Sequence, residues 1–366
     1  MKKYLLFFLI SIITTNYAVS QTIIAQGTCG AQGDNLTWVL TSDSVLTISG
    51  VGEMMNYTHV RNTPWNSRRE NINSVVIENG VTSIGSYAFF TLQNLTYVKI
   101  PNSITTIGKS AFELSGLLSV TIPNSVTTIR QSAFSHCSRL LSIDVDTNNL
   151  HFASENGVLF DKSKTTLIQY PVGRKDTTYA IPYGVTAIGD FSFAFARNLT
   201  SIIIPNSVTT IGIFAFQDCV GLTSVTIPHS VREIGHSAFL RCFNLTNVNI
   251  EYGVKIVGNS AFAYSGLTSV IIPESVTTIR NSAFAGCYNL ASLIIGSNVT
   301  TIECFAFRDC RLRSVISYAP TPPTLGNTVF WGIRRSCRLQ VPAKSVELYR
   351  RAQGWRVFRR IVAIEN

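Results

Sequence analysis

The chain has 366 residues, 46% hydrophobic and only 14% charged, with a formal net charge of +10 at pH 7. That apolar content excludes an intrinsically disordered chain, which needs low hydrophobicity and high charge. The charge is confined: residues 308–366 hold twelve Lys or Arg against three acids, which leaves +1 for the 307 residues before them. Any anion-seeking surface therefore belongs to one end of the molecule.

In chain order, residues 1–20 read as a signal peptide. Lys2 and Lys3 precede an apolar run at 5–13 that is too short to span a membrane, and Ala18-Val19-Ser20 offers a small-x-small site with cleavage expected after Ser20. The expectation is an exported chain, secreted or at the cell surface, with no membrane span in its mature part. Residues 21–71 follow no period and form an expected N-terminal cap, with a hairpin at 36–50 and Trp65 presented to the first coil.

Residues 72–317 are written in one phrase. IPNSVTTIRQSAF (122–134) recurs with small edits nine times, and the closing residues are Phe89, Phe112, Phe134, Phe193, Phe216, Phe239, Phe262, Phe284 and Phe307. Their spacings are 23, 22, 59, 23, 23, 23, 22 and 23. A fixed period in the twenties is the mark of a solenoid, in which each unit buries its apolar side only against its neighbours. In LTSVTI (222–227), Val225 and Ile227 alternate as in a half-buried strand, and proline then stops it. SVREI is a second extended piece, and SAFLRC is expected as one helical or 3₁₀ turn with Phe239 inward. Both 22-residue steps follow a shortened connector, ELSGL or AYSGL.

The 59-residue step holds an insertion at 144–180. Its apolar runs, 157–160 and 165–170 around Asp161-Lys162-Ser163-Lys164, read as a hairpin that buds from the solenoid or replaces a turn. Residues 318–366 are an expected C-terminal cap. A Pro-rich stretch departs from the rhythm, CRLQVP supplies a last strand, and Ser345 caps a short helix whose Val346 and Tyr349, with Trp355, close the stack.

The recurring L-T-S-V-x-I-P-x-S-V-T-x-I-G-x-x-A-F-x-x-C resembles the bacterial leucine-rich repeats of BspA-like surface antigens, the Treponema pallidum type, from Gly27-Thr28-Cys29-Gly30 to the terminal VPAKSVELYRRAQGW. The resemblance implies a leucine-rich-repeat solenoid: stacked 22–23-residue repeats forming one parallel sheet with short helical or 3₁₀ turns, capped at both ends. It also implies an exported or surface protein of host-associated bacteria that adheres to a host or microbial surface protein or glycan. The pattern carries no catalytic residue.

The residues themselves point to binding rather than catalysis. The five His lack metal-ligand spacing, and no phosphate loop, dinucleotide fingerprint or nucleophile elbow occurs. No enzyme activity, cofactor or metal is expected. Cys137, Cys219, Cys242, Cys287 and Cys310 each stand three residues after a marker Phe, so they share one inward direction. Free buried thiols are favoured over bridges, because parallel side chains in register do not reach disulfide geometry easily. Cys29, Cys304 and Cys337 fall outside that column.

One strand slot runs Lys99, Thr121, Asp144, Ile203, Thr226, Asn249, Ile271, Ile294, Ile316. Three consecutive Ile there make an apolar stripe where Thr or Asn is usual, unless the C-terminal cap covers Ile316. The candidate partner-binding set is Ile271, Ile294 and Ile316 with Arg313, Arg334, Arg335, Arg338, Arg350, Arg351, Arg359 and Arg360. The arginines either keep the cap soluble or attract an anionic partner; nucleic acid is disfavoured by export and by the lack of interleaved aromatics. The alternative reading is a structural or antigenic surface protein without a dedicated ligand.

Overall fold

The computed structural model describes residues 21–365. The expected leader at 1–20 lies outside the described residues. The chain climbs through a parallel β-solenoid of about 13 turns at a spacing near 23 residues, and the stacked-repeat reading is borne out. Each full coil lays down a longer strand, such as Ser224–Ile227, and a two-residue strand, such as Glu233–Ile234. Both pair in parallel with their counterparts one period on: Val225 faces Val248, and Glu233 faces Ile256. Alternation decides the faces, with Val225 and Ile227 buried while Ser224 and Thr226 are exposed.

The long-strand ladder runs in segments rather than without a break. No strand pairing joins Tyr97–Lys99 to Ser119–Ile122, or Asn247–Ile250 to Ser269–Ile272. These are the two places where the connector is one residue short, so the strand arrives displaced.

The A-F segment corrects the expected helical turn. It contains no 3₁₀ or α-helix; instead the residues two before and two after each marker Phe sit in the left-handed region. Around Phe239 these are Ser237 (φ 53) and Arg241 (φ 59). A left-handed non-glycine residue costs about 1–2 kcal/mol, and the backbone recovers it by hydrogen bonding between coils. Ser237, Phe239 and Arg241 donate their N–H groups to Asn259, Ala261 and Ala263 of the next coil at 2.8, 2.7 and 2.9 Å. The turn thus acts as a third rung-to-rung ladder, which neither hydrophobic periodicity nor proline placement reveals.

Inside, the marker rings stack face to face, Phe216–Phe239 at 4.9 Å and Phe239–Phe262 at 5.2 Å. Trp65 seals the first of them, stacked on Phe89 at 5.5 Å with Nε1 donating to Ala88 O. The antiparallel strands Ile23–Gly30, Gly33–Thr41 and Val45–Gly50 cover the same end, the first of them beyond the expected hairpin. Beside the rings runs the cysteine column. All eight cysteines are unbridged. Each of the five in-phase thiols donates to the carbonyl of the previous coil's Phe, for example Cys219 Sγ to Phe193 O at 3.1 Å and Cys242 Sγ to Phe216 O at 3.2 Å. Ser115 and Ser265 fill the same slot in the shortened coils and touch Cys137 and Cys287 at 3.4 and 3.3 Å.

The expected hairpin is present, Val158–Asp161 pairing antiparallel with Thr166–Gln169, and a second turn at Asn156-Gly157, both at positive φ, adds Phe152–Glu155 ahead of it. Asn-Gly suits a two-residue hairpin because both positions must be left-handed. A third strand, Thr166–Gln169, then enters the short ladder beside Ala187–Ile188, and Tyr170 stacks on Phe193 at 5.1 Å. The 59-residue step is therefore a 36-residue coil followed by an ordinary 23-residue one. The hairpin divides the buried core into two clusters, with Leu159 on the N-terminal side and Val158 and Phe160 on the other. The junction is tied by Ser135 Oγ to Gln169 Oε1 (3.1 Å) and by Gly173 N to Leu140 O (2.8 Å). A Cβ on Gly173 would lie 2.4 Å from the carbonyl carbon of Arg139, so only glycine passes there.

The rhythm also continues through the Pro-rich stretch. Thr324–Leu325 pairs with Thr301–Ile302, and Phe330 stacks on Phe307 at 5.7 Å. Beyond it, Tyr349 and Trp355 are fully buried and close the stack. Ser345 does not cap the helix Val346–Arg351 through its side chain; its Oγ instead donates to Pro320 O at 2.7 Å.

Candidate functional site

The C-terminal third presents one five-stranded parallel sheet: Ser269–Ile272, Ser292–Ile295, Ser314–Ser317, Arg338–Val341 and Arg360–Ala363. Register places Ile271, Ile294, Ile316, Gln340 and Val362 in one outward row. The neighbouring outward row is Ser269, Ser292, Ser314, Arg338 and Arg360. Ile271 is 61% exposed, and Ile294 and Ile316 are half-buried. The cap does not fold over Ile316; it lengthens the sheet by two strands. Ile203, 63% exposed, stands apart from this row, opposite Ala180.

Two of the candidate arginines share that face. Arg338 Nη2 bonds Glu365 Oε1 at 2.5 Å, and this hydrogen bond, with the charge of the same guanidinium, holds the Glu365 carboxyl below the usual range. Arg338 Nε is buried with no partner among the described residues. Arg360 follows in the next strand, exposed and unpaired among the described residues. Arg313 is exposed at the edge of the stripe, its carbonyl accepting from Arg338 N at 3.1 Å.

At the end of the sheet a groove of about 460 Å³ is lined by Arg350, Arg356, Arg359 and Arg360 with Phe358, Ile361 and Val362. Arg350 is held by Glu347 Oε1 (2.6 Å) and Ile361 O (3.2 Å), and Arg356 by Arg351 O (3.1 Å). Arg359 and Arg360 have no side-chain partner among the described residues, so two guanidinium forks face solvent unspent. Arg334 and Arg335 are exposed on the connector after Phe330, and Arg351 on the helix; none of the three lines the groove. The sequence reading missed Arg356, Gln340 and Val362 as site members. The signal for the last was the alternation in RIVA, an apolar-out, apolar-in strand following the arginine pair.

Among the described residues, no group of three or more His, Cys, Asp or Glu is placed to hold a metal. No helix there is long and apolar enough to cross a membrane. The description "BspA type Leucine rich repeat region (6 copies)" matches residues 66–173, 172–291 and 277–351. The chain belongs to the BspA-type leucine-rich repeat family.

A leucine-rich repeat protein from Eubacterium ventriosum is 30% identical over 84% of this chain and 95% of its own, with a TM-score of 0.66. A leucine rich cell surface protein from Faecalibacterium prausnitzii shares the fold at 24% identity, 75% and 90% coverage and a TM-score of 0.50. The pneumococcal vaccine antigen PcpA does so at 17% identity, 94% and 99% coverage and 0.55. No curated protein matches the chain.

Proposed function

We propose that this BspA-type repeat protein is exported, works at the cell surface or as a secreted protein, and has recognition rather than catalysis as its task. The face that binds is the C-terminal sheet. The carrying observation is the coincidence of the row Ile271, Ile294, Ile316 with Arg338 and Arg360 on one outward surface, ending in a groove with two unpaired guanidinium groups. Apolar contact supplies affinity there, while the arginines steer an acidic protein or glycan to it and make association salt-sensitive. The leader-like residues 1–20 support the location.

The test is binding of the mature chain to an array of matrix proteins and glycans. Replacing Ile271, Ile294 and Ile316 with Thr, the residue usual in that slot, leaves the inward residues untouched and should preserve the fold. On any partner the array finds, this triple variant should bind at least ten-fold more weakly, a loss of about 1.4 kcal/mol. Unchanged binding would move recognition off this face.

A further inference from the structure

At the opposite end of the solenoid a groove of about 890 Å³ opens between the 3₁₀ segments Val60–Asn62 and Asn66–Asn71 and the turn after Phe89. Its size falls within the roughly 300–1,000 Å³ of small-ligand sites. Every lining side chain among the described residues is polar, so neither a lipid nor an apolar peptide fits it.

The lining has unspent bonding capacity. The guanidinium groups of Arg61 and Arg69 and the carboxylate of Glu70 make no ion pair or hydrogen bond to described residues; these three residues are engaged through their backbones, as where the Glu70 carbonyl accepts from Asn94 Nδ2 at 2.8 Å. Two atoms in the groove wall, Asn66 Oδ1 and Thr91 Oγ1, are buried with no partner among the described residues. A buried polar atom without a partner bears its desolvation cost uncompensated. Both residues, Asn66 and Thr91, line the groove. Thr91 itself is held in the left-handed region (φ 59) by its N–H bond to Glu113 O at 2.9 Å, so the wall is a fixed feature of the first coil.

We propose that this groove binds an acidic sugar, a hexose unit that carries a carboxylate. Arg61 and Arg69 grip the carboxylate as charged forks. Glu70, Asn66 and Thr91 take the ring hydroxyls, which need both acceptors and donors. Two cations against one carboxylate leave the site with a net charge suited to a singly charged ligand. This site stands apart from the C-terminal face and does not depend on it.

Titration calorimetry of the mature chain with D-glucuronate, D-glucose and inorganic sulfate tests the proposal. Glucuronate should bind saturably and at least ten-fold more tightly than either comparison probe. Arg61→Ala and Arg69→Ala should each weaken it at least ten-fold with unchanged unfolding midpoints, since both side chains are exposed and unpaired among the described residues. A double Arg359→Ala, Arg360→Ala variant should bind glucuronate like the parent. The proposal is overturned by an absence of saturable binding, by sulfate binding as well as glucuronate, or by loss of binding in the C-terminal double variant alone.

Discussion

Raising the pH from 8 to 10 should strip on the order of 7 kcal/mol from the folding stability of this chain, through five thiols acting together. Burial pushes the Cys137 and Cys287 thiols up to about 11 and Cys219 to about 12, and raises Cys242 and Cys310 well above the ordinary 9.0. A raised value means the folded state holds its proton where the unfolded state releases it. The contribution is therefore complete below pH 9 and declines as pH rises toward the folded values. Each buried thiol costs about 1.4 kcal/mol per pH unit in that window. Holding the comparison at or below pH 10 keeps the tyrosines, whose ordinary value is 10.0, mostly out of the effect. Urea midpoints at pH 8 and pH 10 measure it. A variant with all five changed to Ser, the residue that Ser115 and Ser265 already place in that column, should lose most of the pH dependence. Parallel curves for parent and variant would show that the thiols do not titrate with folding.

The ring column sets the second large effect. Phe239 is fully buried with a stacked ring on each face, so Phe239→Ala should cost about 3–5 kcal/mol as a cavity that neighbouring coils cannot collapse into. Phe134 ends the N-terminal run, stacked only on Phe112 at 5.5 Å, with the hairpin on its other side. Phe134→Ala should therefore cost about 1 kcal/mol less, the worth of one ring pair. Chemical unfolding of the two variants side by side checks this. Equal losses would mean that ring stacking adds nothing beyond burial.

The marker Phe and the in-phase Cys were legible because every coil must offer the same inward slot at the same phase, and a period of 23 exposes any residue held to one slot. The tenth ring, Phe330, and the Tyr170 rung were less visible. Proline clusters and a tyrosine replace the usual phrase there, while the backbone still needs only one apolar residue at the ladder and one ring in the column. The left-handed residues flanking each Phe were not legible at all: Ser, Phe, Arg, Asp and Leu occupy them as well as Gly. Their conformation is imposed by hydrogen bonds to the next coil rather than by their own preference. The hairpin around Asp161-Lys162-Ser163-Lys164 was legible and is present, whereas the additional Asn156-Gly157 turn ahead of it, though in plain view, was not read as a second hairpin.

The candidate site was legible in its chemistry and only partly in its place. Slot counting found Ile271, Ile294 and Ile316, because strand register is fixed by the repeat. The same counting could not show that Arg338 and Arg360 extend the sheet on that face while Arg334, Arg335 and Arg351 do not join it. That depends on the cap strands Arg338–Val341 and Arg360–Ala363 pairing in parallel with each other, a long-range choice outside the period. Arg356 enters the groove because the chain turns at Gly354 (φ 81) ahead of it.

Recognition by the C-terminal sheet can be read from amide hydrogen exchange on the mature chain with and without a partner captured on the array. Slowed exchange is expected to be confined to 269–272, 292–295, 314–317, 338–341 and 360–363, with 21–143 unchanged. Protection centred on the insertion at 144–180 or on the N-terminal coils, with the C-terminal strands unaffected, would contradict it.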